Sequence, residues 1–187
     1  SAFPRWAATP HAERAALVLA LAEAVERHAE DFAPLLTREQ GKPLGEARRE
    51  VLGLATWLRG AAGMALPVTV HEDSPARYCE TRHVPVGVVA AIAPWNYPLL
   101  LAAFKLGPAL VTGNCVVLKP SPFTPLTSLK LGELAQTILP SGVLNVVSGG
   151  DALGPWLTAH SGIDKIGFTG STATGKRVMA SAAETLK

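Results

Sequence analysis

The chain has few of the residues that build disulfide, metal or hydrolytic sites. Its 187 residues include only two cysteines, Cys79 and Cys115, which cannot form a disulfide framework and fit a reducing compartment, so we expect a cytoplasmic protein. The five histidines show no H-x-x-x-H or Cys/His ligand spacing, and we therefore expect no metal site. No G-x-S-x-G nucleophile elbow is present. One pair of carboxylates at helical spacing, Glu46 and Glu50 with Arg49 beside them, is predicted to lie on a solvated helix face.

Long hydrophobic runs and an excess of charge are also missing. The most apolar region, 84–111, is interrupted by four prolines, one asparagine and one lysine, so it lacks the ~20 consecutive apolar residues that span a bilayer. The 17 basic residues are scattered and nearly balanced by 15 acidic ones. We therefore expect neither a membrane nor a nucleic acid as partner. With 48% apolar residues, the chain can bury one sizeable core.

Residues 1–66 are predicted to form a helical scaffold. Thr9-Pro10 is typical of a helix start, with Thr9 as the N-cap and Pro10 in the first helical position, and this helix is predicted to run toward Asp31. Two further helices are predicted at about 32–40 and at 44–64, on either side of a Gly-Lys-Pro break.

The periodicity then changes from helix to strand. Residues 67–84 are predicted to form a β-hairpin around a polar turn at 72–75. From residue 85 onward, short apolar runs alternate with helical segments, which is typical of βαβ units and a parallel sheet. The predicted strands are 86–93, 115–118, 144–147 and 163–169, and the predicted helices are 99–112, 126–139, 152–160 and 173–186. The sequence therefore predicts an α/β fold, a Rossmann-like parallel sheet with helices on both faces, preceded by a helical segment and a hairpin.

The stretch IDKIGFTGSTATGK at 163–176 is typical of a strand, a tight turn and a helix N-terminus, which together can bind an anion. Gly170, Gly175 and Lys176 fit G-x-x-x-x-G-K, but Arg177 stands where a P-loop has the Ser or Thr that holds Mg²⁺. A Rossmann G-x-G-x-x-G is absent as well. On these residues alone, a nucleotide site and an ordinary strand-to-helix connection both remain open.

Several motifs in order carry a resemblance to a known family. They are EQGKP at 39–43, HVPVGVV at 83–89, APWNYP at 93–98, GPAL at 107–110, GNCVVLKPS at 113–121 and GFTGSTATGK at 167–176. Together they resemble the cofactor domain of the NAD(P)-dependent aldehyde dehydrogenase superfamily. The resemblance implies that 1–187 is part of such a domain, with a helical scaffold at 1–66, the hairpin at 67–84 and a parallel αβ dinucleotide-binding core at 85–187. It also implies NAD as cofactor with NADP as a second candidate, a small aldehyde substrate and a homo-oligomeric parent enzyme.

The resemblance assigns roles to individual residues. Asn96 matches the asparagine whose amide holds the oxyanion of the tetrahedral intermediate, and Lys105 matches a helix lysine near the active centre. Without the resemblance, Asn96 is interpreted as a turn residue and Lys105 as a lysine that snorkels from a helix. The cofactor-binding positions implied are Ile92, Ala93, Pro94, Trp95, Lys119, Ser121, Pro122, Gly149, Phe168, Thr169, Gly170, Ser171 and Thr174.

One departure from the family pattern concerns the choice of cofactor. Lys119 matches the lysine that reaches the adenine ribose, but Pro122 stands where many members carry an acidic residue that binds the ribose hydroxyls. Proline cannot accept those hydrogen bonds and does not repel a 2′-phosphate. We expect no arginine to flank this site. We therefore expect the parent enzyme to accept NADP⁺ as well as NAD⁺, with NAD⁺ as the physiological cofactor.

A second departure concerns the nucleophile. In the family, a cysteine attacks the aldehyde to give a thiohemiacetal, and after hydride transfer a glutamate-activated water hydrolyses the thioester. Both positions would follow Lys187, and Cys79 and Cys115 are interpreted as structural. The predicted function is therefore part of an enzyme that oxidises an aldehyde to a carboxylic acid, with this chain supplying the cofactor seat and Asn96. The alternative is a non-catalytic nucleotide-binding or assembly module that kept the fold.

We predict that residues 1–187 alone do not oxidise aldehydes, because a cofactor seat and an oxyanion donor cannot form a thiohemiacetal without a thiolate. The measurement is NAD⁺ reduction by the isolated chain with a panel of aldehydes. Turnover that is abolished by Cys115→Ala would contradict the prediction.

Overall fold

The computed structural model describes residues 2–187 and contains eight helices and six strands within them. In chain order they are α1 (Phe3–Ala8), α2 (His11–Arg27), α3 (Ala29–Gln40), α4 (Leu44–Ala62), β1 (Thr69–Asp73), β2 (Tyr78–Thr81), β3 (Val88–Ile92), α5 (Pro98–Val111), β4 (Cys115–Lys119), α6 (Leu126–Gln136), β5 (Leu144–Val146), α7 (Leu153–Ala159), β6 (Lys165–Phe168) and α8 (Thr172–Ala183). Every predicted strand is present, and the α/β prediction is confirmed. None of the helices in 2–187 has both the length and the apolar character needed to cross a membrane.

The start of the chain differs from the prediction. Residues Phe3–Ala8 form a helix that was not predicted, and Thr9 closes it instead of capping α2. The Thr9 hydroxyl donates to the carbonyl of Arg5 at 3.0 Å, while Pro10 occupies the N-cap of α2 without a side-chain cap. The predicted N-cap role of Thr9 is therefore wrong, because its hydroxyl is used by the preceding helix. The next boundary also moves, since α3 begins at Ala29.

The strands form two sheets. β1 and β2 pair antiparallel, which confirms the hairpin, and the other four form a parallel sheet in the order β5-β4-β3-β6. Within it, Ile92 on β3 is in register with Lys119 on β4 and with Phe168 on β6. Helices α5 and α6 pack on one face together with the scaffold helices, and α7 and α8 pack against each other by the opposite face. Because β3 is where the chain order reverses, its carboxyl end is a topological switch point, the usual ligand position in such sheets.

Helix α5 is buried between the scaffold and the sheet, and its C-terminal carbonyls are satisfied by the scaffold. Trp6 Nε1 donates to the carbonyl of Leu110 at 3.2 Å, and Arg14 Nε donates to that of Val111 at 3.0 Å. Burial lowers the pKa of the Arg14 guanidinium. A cation at a helix C-terminus also complements the helix dipole.

Two carboxylates of the scaffold satisfy the N-termini of core helices. Glu50 accepts from the backbone N–H groups of Leu99 at 2.9 Å and Leu100 at 3.2 Å, in the first turn of α5. Glu39 does the same for α6, accepting from the N–H of Leu126 at 2.7 Å. The prediction that Glu50 lies on a solvated face is therefore wrong, because its side chain is fully buried. Glu46, one turn away, is exposed and pairs with Arg49 as expected.

The contact between α4 and α5 depends on a small residue. A Cβ built on Gly107 of α5 would lie 2.7 Å from the Cβ of Ala61 on α4, which is closer than real Cβ atoms approach. Gly60, on the exposed side of α4, has nothing within 4 Å of such an added Cβ. Both glycines therefore lie within helices, but only at Gly107 would an added Cβ collide with a neighbouring helix.

We predict that Gly107→Ala lowers the free energy of unfolding by up to about 2 kcal/mol, because overpacking costs ~1–3 kcal/mol and alanine regains only ~1 kcal/mol in a helix. The matched control, Gly60→Ala, should raise it by up to about 1 kcal/mol. Urea unfolding of both variants measures the difference. Equal stability of the two would show that α4 and α5 are not held at this distance.

Candidate functional site

The predicted site residues collect at the carboxyl edge of the parallel sheet. Beyond the strand ends the ladder continues, with Ala93 N–H donating to the carbonyl of Lys119 and Thr169 N–H to that of Ile92, both at 3.1 Å. Ile92, Lys119 and Phe168 are the last residues of β3, β4 and β6, and the other predicted positions apart from Lys105 follow the ends of β3, β4, β5 and β6 within a few residues. The fold therefore brings four separate segments to one edge.

A cleft of about 440 Å³ opens between this edge and helices α7 and α8. It is lined by Ile92, Lys119, Asp151, Gly154, Pro155, Thr158, Phe168, Thr174, Arg177, Val178 and Ser181. Four of the predicted cofactor residues lie in this wall, namely Ile92, Lys119, Phe168 and Thr174. A volume in this range, with apolar walls and a few charged groups, is typical of a small-ligand site.

Lys119 is buried at the base of the cleft, with only 7% of its surface exposed. Its ammonium donates to the carbonyl of Pro120 at 3.1 Å. Burial lowers its pKa, and the nearby carboxylate of Asp151 partly opposes this effect. Arg177 lines the same cleft, so the expectation that no arginine flanks the site is wrong. Sequence reasoning gave Asp151 and Arg177 no role in this site, since they come to line the same cleft as Lys119 only in the folded chain.

The turn between β6 and α8 is built as the sequence indicated. Ser171 is the N-cap of α8, and its hydroxyl oxygen accepts from the N–H of Thr174 at 3.2 Å. Gly170 makes room for an aromatic ring, because a Cβ there would lie 2.5 Å from Cζ of Phe168. The glycine therefore allows Phe168 to lie across the turn and form part of the cleft wall.

Lys105 lies on the other face of the sheet. Its ammonium donates to the hydroxyl of Thr169 at 2.6 Å and to the carbonyl of Leu101 at 2.9 Å, while its stem packs near Gly167. Burial lowers its pKa. Lys105 is therefore not in the cleft with Lys119, but it reaches the carboxyl end of β6 through Thr169.

Asn96 lies on the exposed loop between β3 and α5. Its backbone carbonyl accepts from the ammonium of Lys42 at 2.9 Å, and the same ammonium lies 4.1 Å from the centre of the Tyr97 ring. Lys42 also pairs with the buried Glu50. Sequence reasoning gave Lys42 no role, although the EQGKP segment that contains it was among the family-like motifs.

The remaining predicted residues lie at the same edge but outside the cleft wall. Ser121 is buried and its hydroxyl accepts from the N–H of Phe123 at 3.3 Å, whereas Pro122 is exposed. Trp95 is 54% exposed. Gly149 packs against Leu153, whose Cδ2 would be 3.0 Å from an added Cβ.

The two cysteines lie on strands away from the cleft wall. Cys115 is buried in β4, and burial raises the pKa of its thiol, which favours the unreactive neutral form. Cys79 is exposed on the hairpin. Within 2–187, no group of three or more His, Cys, Asp or Glu side chains is placed to hold a metal ion.

Comparison with known proteins gives the family. The model of the aldehyde dehydrogenase family matches residues 1–187. The chain is 50% identical over 186 residues to the putative aldehyde dehydrogenase FUS7 of Gibberella fujikuroi, covering 100% of this chain and 40% of that protein. It matches the crystal structure of PnpE in complex with nicotinamide adenine dinucleotide with a TM-score of 0.95 at 40% identity, over 100% of this chain and 39% of PnpE. An NADP-dependent enzyme of E. coli matches with a TM-score of 0.95 at 38% identity, over 100% of this chain and 40% of that one.

The chain thus spans about 40% of the length of the relatives it matches. The family model, these identities and the shared fold agree over the whole chain. The chain therefore belongs to the aldehyde dehydrogenase family.

Proposed function

We propose that this chain forms the NAD(P)-binding part of an enzyme that oxidises an aldehyde to a carboxylic acid through a cysteine thiohemiacetal and a thioester. The observation that carries the proposal is the alignment of Ile92, Lys119 and Phe168 across three strands, where they line a cleft beside helices α7 and α8. The relation to PnpE, which binds NAD, supports the same assignment.

The residues of the cleft fit a dinucleotide. Ile92, Phe168 and Val178 give apolar surface for a flat ring, while Lys119 and Arg177 supply cations for phosphate or ribose oxygens. The remaining matched positions, Ala93 to Trp95, Ser121 to Pro122, Gly149 and Thr169 to Ser171, continue the same edge. When bound, the nicotinamide supplies the hydride acceptor.

Asn96 is proposed to hold the oxyanion that forms when a thiolate adds to the aldehyde carbonyl. A fixed amide donor at that position stabilises developing charge without reorganising during the reaction. Lys105 is proposed to orient Thr169 at the end of β6, beside the reacting end of the cofactor. The settings of Cys79 and Cys115 support a nucleophile elsewhere in the enzyme.

We further propose a cytoplasmic homo-oligomer. Two unpaired cysteines fit a reducing compartment. Val70 and Tyr78 on the hairpin are each more than half exposed, and Trp57 and Phe104 form an exposed aromatic pair on α4 and α5. Apolar surface of this kind is typical of contacts with another chain.

We predict that Asn96→Ala, in an enzyme containing this chain, lowers kcat for aldehyde oxidation by ~10²–10³-fold, as does the loss of other oxyanion donors. The control is Asn145→Ala, which removes an exposed asparagine on β5 whose side-chain amide donates to the carbonyl of Gly142 at 3.0 Å. Steady-state kinetics with NAD⁺ measures both. If no aldehyde is oxidised although NAD⁺ binds, the alternative of a non-catalytic nucleotide-binding module is supported.

For cofactor choice we predict opposite effects of two charges in the cleft. Asp151→Asn should shift the ratio of NADP⁺ to NAD⁺ affinity toward NADP⁺ by roughly 3–10-fold, because a carboxylate binds ribose hydroxyls and repels a 2′-phosphate. Arg177→Gln should shift it toward NAD⁺ by a similar factor, since it removes a cation. Calorimetric titration of each variant with both cofactors measures the ratio. Unchanged ratios in both would show that backbone shape near Pro122 sets the preference.

A further inference from the structure

The ion pair of Lys42 and Glu50 is the least exposed ion pair among residues 2–187. Their side chains are 9% and 0% exposed, whereas the other ion pairs of the described chain are exposed at both partners to at least 22%. Burying two charges costs several kcal/mol of desolvation, and an apolar pair of similar size often gives equal stability. Stability alone therefore does not explain this pair.

The partners of the pair indicate what it holds. One carboxylate oxygen of Glu50 accepts from the N–H groups of Leu99 and Leu100, and the other accepts from Lys42. The Lys42 ammonium then donates to the carbonyl of Asn96 and lies over the Tyr97 ring. The network thus binds the backbone at two points, the carbonyl of Asn96 and the N–H groups of Leu99 and Leu100 at the start of α5.

The loop held in this way is otherwise open to solvent. Trp95, Asn96 and Tyr97 are all exposed, so contacts with the core do little to fix the peptide that carries the Asn96 side chain. A hydrogen-bond donor stabilises an oxyanion only if it is aligned before the charge develops. The hydrogen bond from the Lys42 ammonium, on the scaffold, to the Asn96 carbonyl restrains this peptide and can supply that alignment.

We propose that Lys42 and Glu50 are positioning residues that aim the amide of Asn96 at the oxyanion of the aldehyde substrate. This inference rests on the proposed function, because it requires Asn96 to contact the reacting carbonyl. Neither residue contacts the α7/α8 cleft. Their removal should therefore affect the reaction rate and leave cofactor binding intact.

The test uses an enzyme that contains this chain, with variants Lys42→Met and Lys42→Met/Glu50→Gln. The double variant leaves no unpaired buried charge and keeps an amide oxygen for the α5 N-terminus, so it guards against unfolding of the single variant. We expect each to lower the single-turnover rate of NADH formation by ~10–100-fold, the range of a misplaced catalytic group. The Kd for NAD⁺ should stay within about twofold, since the cleft is untouched.

Two further measurements separate a positioning role from general destabilisation: a control variant on the same helix, and Lys42→Met made in an enzyme that already carries Asn96→Ala. Glu46→Gln removes a carboxylate one turn from Glu50 on the same helix and should leave the rate unchanged, because its pair with Arg49 is exposed. In an Asn96→Ala background, Lys42→Met should lower the rate by less than about twofold, because both changes remove the same interaction.

The possible outcomes distinguish this inference from the proposed function. If Asn96→Ala slows the enzyme but Lys42→Met and the double variant do not, the positioning role is wrong and the oxyanion role stands. Fully additive losses from Lys42→Met and Asn96→Ala would also overturn the positioning role. If Asn96→Ala has no effect on the rate, both proposals fail together.

Discussion

The burial of α5 is the constraint on which the rest of this structure depends. A helix enclosed between a sheet and other helices cannot expose its terminal N–H and C=O groups to water, so protein groups must satisfy them. The scaffold does this with an anion at one end and a cation at the other, Glu50 for the N-terminus and Arg14 for the C-terminus. Both charges also complement the helix dipole, an anion at its positive N-terminal end and a cation at its negative C-terminal end. The helical scaffold is therefore bound to the α/β core by electrostatics as well as by apolar packing.

The candidate site follows from the same arrangement. α5 begins three residues after Trp95 and carries Lys105 two turns further on, so fixing this helix also fixes the loop of Asn96 and the contact of Lys105 with Thr169. The parallel register places the ends of β3, β4 and β6 side by side, and the face of the sheet opposite α5 meets α7 and α8 there. The reacting centre and the cofactor cleft are thus proposed to lie on the two sides of one sheet edge, which is how a single rigid sheet can orient both.

The cations of the site are held by uncharged oxygens. Lys105 donates to a hydroxyl and a carbonyl, and Lys119 donates to a carbonyl. Burial lowers the pKa of each, because neither receives the full compensation of a tight carboxylate pair. Neither is paired with a carboxylate in the described chain, whereas the ammonium of Lys42 pairs with Glu50.

The sequence by itself determined the order of the elements after α1, the hairpin, the parallel sheet and the strand, turn and helix at 163–176, because each depends on local periodicity or on a turn a few residues long. Only the tertiary structure decided which charges are buried. Glu46 and Glu50 lie one turn apart on α4. Glu46 faces water, yet Glu50 accepts from the N–H of Leu99, which is 49 residues later in the chain. Likewise, Arg177 reaches the cleft because α8 folds beside α7. Burial of the Glu50 carboxylate requires the N–H groups of α5, and no local pattern on α4 contains partners so far along the chain.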